Sequence, residues 1–339
     1  MIISIKNNNN MAHSLESEYE SEKYFTTVEN LKNTLDTFGV AIVPNVLNEE
    51  ECDEGYNKMW EYFEHITQKW EKPLKKDDTS TYRSFWDLFP VHSMLVQHWN
   101  AGHAQYVWDI RQNENVINTY SKGIWGCENE DLLVSFDAVS MHLPPEITNR
   151  GWYRGNRWYH TDQSFLRPDF ECIQSYVTLK DVNIGDATLT FMESSHKYHK
   201  EFQEEYNVTE KRDWYILNQN EEKFYTDRGC EYKRIYCPKG SMVFWDSRTI
   251  HSGTEPLKTR KKSNIRSIVY LCYMPRSTAT KANLRKKQKA FNEVRMTSHW
   301  PNKSKLFAKN PRSYGKHIPD FTPIDPPILN ELGMKMAGF

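Results

Sequence analysis

The chain has 339 residues, of which 38% are hydrophobic and 14% aromatic, a composition that can bury a large core and excludes an intrinsically disordered protein. Its formal net charge of −1 gives no overall attraction to nucleic acid or to anionic membranes, so neither partner is expected. Six cysteines show no C-x-x-C pair and no disulfide-framework spacing, so we expect reduced thiols and a cytoplasmic, intracellular location.

The N-terminus is expected to be disordered. Residues 1–20 are polar and rich in Asn. The first ten residues lack the apolar core of a signal peptide, and no stretch of the chain approaches the length of an apolar membrane-spanning helix. The sequence therefore predicts neither secretion nor membrane insertion.

A helical layer is predicted over about residues 21–125. From Tyr24 apolar residues recur at helical spacing until Gly39, where a helix should stop. GVAIVP then has the pattern of a short strand. Asn48 and Glu51 have the spacing of a capping box in front of a second amphipathic helix, and the Trp- and His-rich sequence after it is expected to form short helices that close one end of a barrel.

Strand patterns begin with DLLVSFD and continue with CIQSYVTLK. In the second segment Ile173 and Val177 lie on an apolar face, whereas Gln174 and Tyr176 lie on the opposite, mixed polar face, because side chains alternate along a strand. The apolar face should lie under the helices, and the polar face should line a cavity. Gln174, and Asp137 at the end of DLLVSFD, are therefore candidates for polar groups near that cavity.

Two segments provide candidate metal ligands. His160 and Asp162, in WYHTD, point the same way on a strand and can share one metal ion, and His251 follows the strand-like SMVFW and a turn. An isolated H-x-D triplet is weak evidence, since chance alone produces such triplets in a chain with 12 His. The strand context makes the three together typical of the 2-His-1-carboxylate site of non-heme Fe(II) oxygenases.

An arginine provides a candidate anchor for a co-substrate. Three protein ligands leave iron with open positions for a bidentate 2-oxo acid and O2. The distal carboxylate of such an acid needs a buried partner, and Arg is suited to a two-point salt bridge. Arg266 opens the alternating strand RSIVYLCYMP, whereas the alternative, Arg260, lies in a basic loop, so we favour Arg266.

The segments HTD, MESSHK, WDSRTIHSG and the Arg266 strand resemble the phytanoyl-CoA dioxygenase family of Fe(II)/2-oxoglutarate-dependent dioxygenases. The resemblance is clearest over about residues 130–275. It implies a mainly β fold with α-helices, a double-stranded β-helix (jelly roll, cupin-like) core buttressed by the N-terminal helices. It also implies an enzyme that uses Fe(II), 2-oxoglutarate and O2 to hydroxylate a small-molecule substrate, with release of succinate and CO2.

The resemblance assigns roles to single residues. Three correspond to catalytic iron ligands, namely His160, Asp162 and His251. Arg266 corresponds to the residue that binds the C5 carboxylate of 2-oxoglutarate. Tyr176 falls where this family often places an aromatic side chain against the co-substrate, and Gln174 joins these two as a cofactor-binding candidate.

The remaining segments define the expected domain organisation. We expect one domain over residues 21–298, including a basic helix at 278–297. Residues 200–230 are highly charged and have the pattern of an insertion with partial helix. The Pro-rich residues 299–339 are expected to pack on the domain as irregular chain.

Two basic runs have the composition of a phosphate or coenzyme A site. KTRKK (258–262) lies between two predicted strands, and RKKQK (285–289) lies in a predicted helix. Both are expected to be solvated surface, the usual environment of charge runs.

Two other functions fit the same residues. One is a catalytically silent jelly-roll protein that binds metal and serves as a scaffold or sensor. The other is a zinc- or nickel-dependent cupin-like enzyme that does not use 2-oxoglutarate. The identity of the substrate and the oligomeric state are not determined by these patterns, because a fold family does not fix the molecule bound.

Overall fold

The computed structural model describes residues 18–339, whose strands form two six-stranded sheets and one two-stranded sheet. The strands are β1 (Glu18–Tyr19), β2 (Val40–Val43), β3 (Leu95–Val96), β4 (Leu132–Val134), β5 (Val139–His142), β6 (His160–Thr161), β7 (Ile173–Thr178), β8 (Thr188–Met192), β9 (Tyr215–Ile216), β10 (Tyr232–Arg234), β11 (Met242–Asp246), β12 (His251–Thr254), β13 (Arg266–Leu271) and β14 (Tyr273–Pro275). The α-helices are α1 (Leu31–Phe38), α2 (Glu49–Thr67), α3 (Gln105–Arg111), α4 (Glu114–Tyr120), α5 (Pro145–Thr148), α6 (His199–Glu205), α7 (Gln219–Thr226), α8 (Lys281–Asn292) and α9 (Glu331–Met336). Shorter 3-10 segments and one π-helical segment are Glu22–Tyr24, Thr79–Leu88, Ala101–His103, Ser121–Trp125, Asn129–Asp131, Ser195–Tyr198 and Arg276–Thr278.

Eight strands form a jelly roll. In one sheet the order is β11-β7-β13-β5, extended by β2 and β3, and in the other it is β10-β8-β12-β6, extended by β1 and β9. From β5 to β13, successive strands of these eight lie alternately in one sheet and the other. The exception is β8 and β10, which follow one another among the eight and pair in the same sheet. Within the eight strands every pairing is antiparallel. This interleaving is the double-stranded β-helix, so the predicted fold is confirmed.

The two sheets face each other across an apolar layer. Buried side chains of both sheets belong to one cluster, which includes Val40, Ile42, Tyr176, Val243, Trp245 and Ile268 from the first sheet and Leu189 and Phe191 from the second. Burying a side chain of this size contributes about 1.5–3 kcal/mol relative to leaving it exposed. The roll is therefore held closed by its own interior, and the polar groups of the site lie within that interior.

The helices cover the outer face of the first sheet. Ile173 and Val177 of β7 pack in the same buried cluster as Met59 and Phe63 of α2 and Ile117 of α4. The predicted apolar face of CIQSYVTLK is thus the face that lies under the helices. Because the helices pack against one face of β7 only, its opposite face lines the interior between the two sheets.

The start of α2 is fixed by the capping box expected from its sequence. The Glu51 N–H donates to Asn48 Oδ1 at 2.9 Å, and the Asn48 N–H donates to the Glu51 carboxylate at 2.7 Å. Each contact satisfies a backbone N–H that has no partner within the helix.

Gly39 makes the turn from α1 into β2. Its φ is +79°, a left-handed conformation that favours glycine, and a Cβ there would lie 2.6 Å from Thr249 Oγ1. Its carbonyl accepts the Asp246 N–H at 3.0 Å. The helix stop predicted at Gly39 therefore also joins α1 to the turn that precedes His251.

Three expectations for the outlying segments need correction. Disorder was expected through residue 20, but Glu18–Tyr19 pairs with β10, and the rest of that range lies outside the described residues. The tail was expected to be irregular, yet it contains α9. Lys287, in RKKQK, is fully buried: its Nζ donates to the carbonyl of Val134 and lies 3.7 Å from the Phe136 ring centroid. Burial holds the pKa of this ammonium well below its usual range.

The tail packs on the domain. Partly buried apolar residues along it contact the cluster formed by the helical layer, namely Leu306, Phe307, Ile318, Phe321, Ile324, Leu329 and Leu332. Within residues 18–339, no helix combines the length and the apolar character needed to cross a bilayer.

Candidate functional site

Two neighbouring strands bring the predicted metal ligands together. His160 on β6 lies directly opposite His251 on β12, and Asp162 follows β6 at once. Asp162 Oδ1 is 3.6 Å from His160 Nε2, and its Oδ2 is 3.4 Å from His251 Nε2. One ligand atom from each residue can be chosen so that all lie within 4.8 Å of one another. Ligands about 2.1 Å from one ion at right angles would lie about 3 Å apart, so this spacing fits a single metal ion.

Backbone contacts orient both imidazoles. His160 Nδ1 lies 3.1 Å from the Trp158 carbonyl, and His251 Nδ1 lies 2.9 Å from the Thr249 carbonyl. An Nδ1–H that donates to a carbonyl leaves the lone pair of Nε2 free for a metal. Both Nε2 atoms are the ones nearest to Asp162.

Gln174 orients the carboxylate. Its Nε2 donates to Asp162 Oδ2 at 2.9 Å and to Ser247 Oγ at 3.2 Å. The structure therefore places Gln174 beside the candidate metal ligands, as a residue that positions Asp162.

The protonation states suit metal binding. Burial, reinforced by the neighbouring His251, lowers the pKa of His160 to about 3, so its imidazole is neutral at neutral pH. Burial alone would raise the pKa of Asp162, but the adjacent imidazoles of His160 and His251 lower it well below its usual range. A neutral imidazole and an ionised carboxylate are the forms that bind metal.

Arg266 is a buried cation in the same cavity. It opens β13 opposite His142 of β5, and it is 4% exposed. Its Nη1 donates to Ser140 Oγ at 2.6 Å, and its guanidinium carbon lies 5.5 Å from the Tyr176 ring centroid. Within residues 18–339 it forms no ion pair, and its Nε and the Tyr176 hydroxyl have no hydrogen-bond partner.

Arg260, the alternative anchor, lies elsewhere. Its Nε donates to Glu146 at 2.8 Å and its Nη1 to Asp186 at 3.1 Å, with only 2% of its side chain exposed. It does not line the cavity that contains Arg266. Although the rest of KTRKK is largely exposed, as expected, Arg260 is thus a buried ion-pair residue and not part of a solvated loop.

The cavity between the sheets has a volume of about 450 Å³ and two walls of different origin. We call the side chains from the central strands β7, β11 and β13 the inner wall: Gln174, Tyr176, Trp245, Arg266 and Tyr270. We call the aromatic and acidic side chains that line the cavity from outside these strands the outer wall: His92, Asp137, Trp158, Trp214, His299, Trp300 and Phe307. All six predicted site residues face this one cavity.

Sequence reasoning missed most of the outer wall. Trp214 lies in the charged insertion, which reaches the site because β9 pairs with β6, placing Ile216 opposite His160. His299 and Trp300 belong to the tail, which is attached where the Thr297 N–H donates to the Phe136 carbonyl at 3.0 Å. The sequence signal that could have indicated these residues is a Trp in each of two largely polar segments, Trp214 in the insertion and Trp300 at the start of the tail.

The six cysteines are free thiols, and none lines this cavity. Cys172 and Cys272 are buried, with their sulfur atoms 3.5 Å apart.

Comparisons with known proteins agree with this geometry. The sequence model of the phytanoyl-CoA dioxygenase (PhyH) family matches residues 35–261, a range that contains the three candidate ligands and ends before Arg266. The "Ava biosynthesis cluster protein O" of Aspergillus versicolor is 25% identical over 302 residues, covering 86% of this chain and 92% of that protein.

Two solved structures share the fold. A hypothetical protein from Escherichia coli has a TM-score of 0.56 at 11% identity, covering 98% of this chain and 88% of that one. The GlcNAc-inducible gene 2 protein of Candida albicans has a TM-score of 0.51 at 13% identity, covering 78% of this chain and 67% of that one. At these identities the likeness concerns the fold alone.

Proposed function

The chain belongs to the phytanoyl-CoA dioxygenase (PhyH) family, and from that premise we propose that it is an Fe(II)- and 2-oxoglutarate-dependent dioxygenase. We infer that it hydroxylates a small-molecule metabolite and releases succinate and CO2. His160, Asp162 and His251 would hold the iron, and Arg266 would bind the far carboxylate of 2-oxoglutarate.

The observation that carries this proposal is the unpaired charge of Arg266. Removing a guanidinium from water costs several kcal/mol unless an anion compensates it, and none of residues 18–339 forms an ion pair with this one. A bound dicarboxylic acid would supply the missing anion through a two-point salt bridge. The cation shares one cavity with the three candidate ligands, so one molecule can reach both.

The polar atoms around Arg266 fit the same ligand. Its Nε and the hydroxyl of Tyr176 are buried without a partner, and each could donate to a carboxylate oxygen. Ser140 holds the guanidinium through Nη1, so the remaining donors stay available.

Some groups of the chain would orient the metal ligands, and the buried interior would keep water away from them. Gln174 keeps Asp162 oriented, while the carbonyls of Trp158 and Thr249 keep the Nε2 atoms of the two histidines directed at the metal. Iron and 2-oxoglutarate, when bound, supply the oxidative chemistry, in which one oxygen atom of O2 goes to succinate and the other to the substrate. The buried interior limits access of water to the reacting groups.

Binding of the co-substrate tests the proposal without requiring the substrate. Calorimetry should detect 2-oxoglutarate binding to protein loaded with Ni(II), an inert substitute for Fe(II). Arg266→Ala should weaken that binding by about a hundredfold, since about 3 kcal/mol is lost when one partner of a buried ion pair is removed. Arg83→Ala is the matched control, because Arg83 is exposed, and it should bind 2-oxoglutarate as the unmodified protein does.

Calorimetry and an assay of succinate formation together separate the competing functions. A zinc- or nickel-dependent enzyme that does not use 2-oxoglutarate would not bind it in the calorimeter, and its activity would be largely intact in Arg266→Ala. A silent scaffold predicts no succinate from any substrate. Incubation with Fe(II), 2-oxoglutarate and a metabolite extract, followed by mass spectrometry for the gain of one oxygen, would then identify the substrate.

A further inference from the structure

Most of the indole surface around the cavity is already covered by other side chains. Among residues 18–339, the tryptophans that line the cavity are Trp158, Trp214, Trp245 and Trp300. Trp158 stacks on His92 with ring centroids 3.5 Å apart and on His160 at 4.8 Å. The ammonium of Lys303 lies 3.7 Å from the Trp300 ring centroid. These two indoles therefore have little free surface for a ligand.

Trp214 differs from the other three indoles. Trp245 belongs to the inner wall and is only 3% exposed, whereas Trp214 is 45% exposed. Across residues 18–339 the ring contact of Trp214 is with His160 alone, at 6.0 Å between centroids and 53° between planes. A large apolar surface of this indole is therefore open at the cavity, beside a candidate metal ligand.

Strand pairing fixes the place of Trp214. β9 pairs with β6, with Ile216 opposite His160. Two residues earlier in the same antiparallel register, Trp214 comes opposite Asp162, and residues directly opposite each other in such a pair point to the same face of the sheet. The indole therefore stands next to the carboxylate that would hold the metal.

Ion pairs hold the residue that precedes Trp214. Asp213 contacts Arg167 and lies 3.6 Å from Lys305 of the tail. An aromatic ring fixed between a strand and a paired carboxylate is already ordered, so a ligand that packs on it loses little affinity to the ordering of the protein.

The charged groups in the outer part of the cavity also have neighbours of opposite charge or hydrogen-bonding capacity. Burial raises the pKa of Asp137, and the imidazole of His299 and the guanidinium of Arg111 beside it oppose that rise. Arg212 lies 2.7 Å from Glu210. Apolar side chains complete this part of the lining, namely Val91, Leu95 and Phe307. A neutral molecule therefore fits here better than an ion, because an ion would lose its hydration without gaining a free counter-charge.

We propose that the molecule oxidised at this site is a neutral compound with a planar ring system, and that Trp214 selects it by stacking on that ring. The proposal rests on the proposed function and names the substrate class of the same site. A planar ring can cover an open indole face over its whole area, whereas a puckered saturated ring touches it at fewer atoms. Because Trp214 lies beside His160, a molecule stacked on the indole lies near the metal.

Planar and saturated alcohols with the same carbon skeleton test the proposal. Naphthol and decahydronaphthol, and phenylethanol and cyclohexylethanol, are neutral and differ within each pair in planarity. Calorimetry would measure their binding to protein loaded with Ni(II) and 2-oxoglutarate, and again to protein without either. At least one planar alcohol should bind about three- to tenfold more tightly than its saturated partner, the size of an aromatic stacking contribution. Burial of apolar area alone would favour the saturated partner, which carries more hydrogen atoms on the same skeleton.

Variants of Trp214 localise the preference. Trp214→Leu keeps an apolar side chain without a flat face, so the planar alcohol should then bind no more tightly than the saturated one. Trp214→Phe keeps a smaller flat face and should retain part of the preference. Tyr314→Leu is the control, because Tyr314 is an aromatic residue that is 89% exposed and does not line the cavity, and it should keep the full preference. Binding of 2-oxoglutarate should be unchanged in all three, which would show that the fold and the metal site are intact.

A paramagnetic metal locates the bound ring. In nuclear magnetic resonance spectra, the proton signals of naphthol should broaden more with protein loaded with Mn(II) than with protein loaded with Zn(II), because a ring stacked on Trp214 lies near the metal.

Four results would overturn the proposal: no planar alcohol bound at millimolar concentration, saturated alcohols bound as tightly as planar ones, a preference that survives Trp214→Leu, or equal broadening with the two metals. Failure of the proposed function looks different, because 2-oxoglutarate would then not bind the Ni(II)-loaded protein. The preference for planar rings is measured in its absence as well, so each proposal can fail alone.

Discussion

The inner and outer walls of the cavity are built in different ways. The inner wall consists of side chains from central strands, such as Tyr176 and Arg266, fixed by neighbours on both sides of each strand. The outer wall is assembled from segments far apart in the chain, among them Trp214 in the insertion and Trp300 in the tail. Its rim is joined by surface ion pairs such as that of Asp213 with Lys305.

The difference in construction suits two different tasks, the reaction itself and the selection of the substrate. Groups that must hold a metal and a co-substrate need fixed geometry, and β6, β7, β12 and β13 provide it because each is paired with a strand on both sides. Loops and appended segments tolerate change, so they can be altered for new substrates without disturbing the reaction centre. We therefore expect substitutions in the two walls to have effects of different kind and size.

The largest effect is expected at the metal. Asp162→Ala removes the one carboxylate of the triad, and succinate formation with Fe(II) and 2-oxoglutarate should fall by at least about a hundredfold, since even outer partners of metal ligands matter ten- to hundredfold. Asp169→Ala, an exposed carboxylate on the loop after β6, should keep full activity. More than a tenth of the original rate in Asp162→Ala would show that Asp162 does not hold the reactive metal.

A smaller effect is expected at Gln174, which touches the metal site only through Asp162. Gln174→Ala removes the hydrogen bond to Asp162 Oδ2, and metal affinity should fall by about ten- to hundredfold. Competition with a chelator would measure the change, with the exposed Gln219→Ala as control. Unchanged affinity would mean that the carboxylate is positioned by the strand alone.

A pH effect is expected at His103, a buried histidine of the helical layer. His103 Nε2 lies 2.9 Å from the Arg295 carbonyl, and burial lowers the pKa of His103 from 6.5 to about 3. As pH falls below 6.5 the unfolded chain takes up this proton before the folded one does, so stability is lost as pH falls toward 3. Between about pH 7 and about pH 5 the loss from this residue is up to about 2 kcal/mol.

Urea unfolding at both pH values, compared between the unmodified protein and His103→Gln, isolates that contribution. The variant should lose less stability on acidification. Parallel losses in the two proteins would contradict the assignment.

The smallest effect is expected at the rim. Lys305 is 67% exposed and lies 3.6 Å from Asp213, so Lys305→Ala should change the free energy of unfolding by about 0–1 kcal/mol, and less at high salt. Denaturant titrations at two salt concentrations would measure it. A loss of more than about 2 kcal/mol would show that the outer wall is held as firmly as the inner one, which would remove the contrast between them.

Local patterns in the sequence predicted the inner wall well. Alternation along CIQSYVTLK placed Gln174 and Tyr176 on the face that the structure turns to the cavity, because a strand under a helical layer has only one face left. The capping box at Asn48 and the helix stop at Gly39 were also found, since both depend on residues close in sequence.

Long-range contacts account for what the sequence did not show. Lys287 and Arg260 lie in basic runs whose composition indicates solvent, yet each is buried against partners remote in sequence. No local pattern reveals that the Val134 carbonyl or Asp186 will be there.

The sequence by itself determined strand segments and a set of candidate ligand side chains, because strand periodicity and residue type are local properties, and its resemblance to a known family implied the jelly roll. Only the tertiary structure decided that His160 faces His251, that Arg266 lines the cavity while Arg260 is paired with carboxylates elsewhere, and that Trp214 and Trp300 line the same cavity. These depend on strand register and on which distant segments cover the cavity. Both are set by packing across the whole chain.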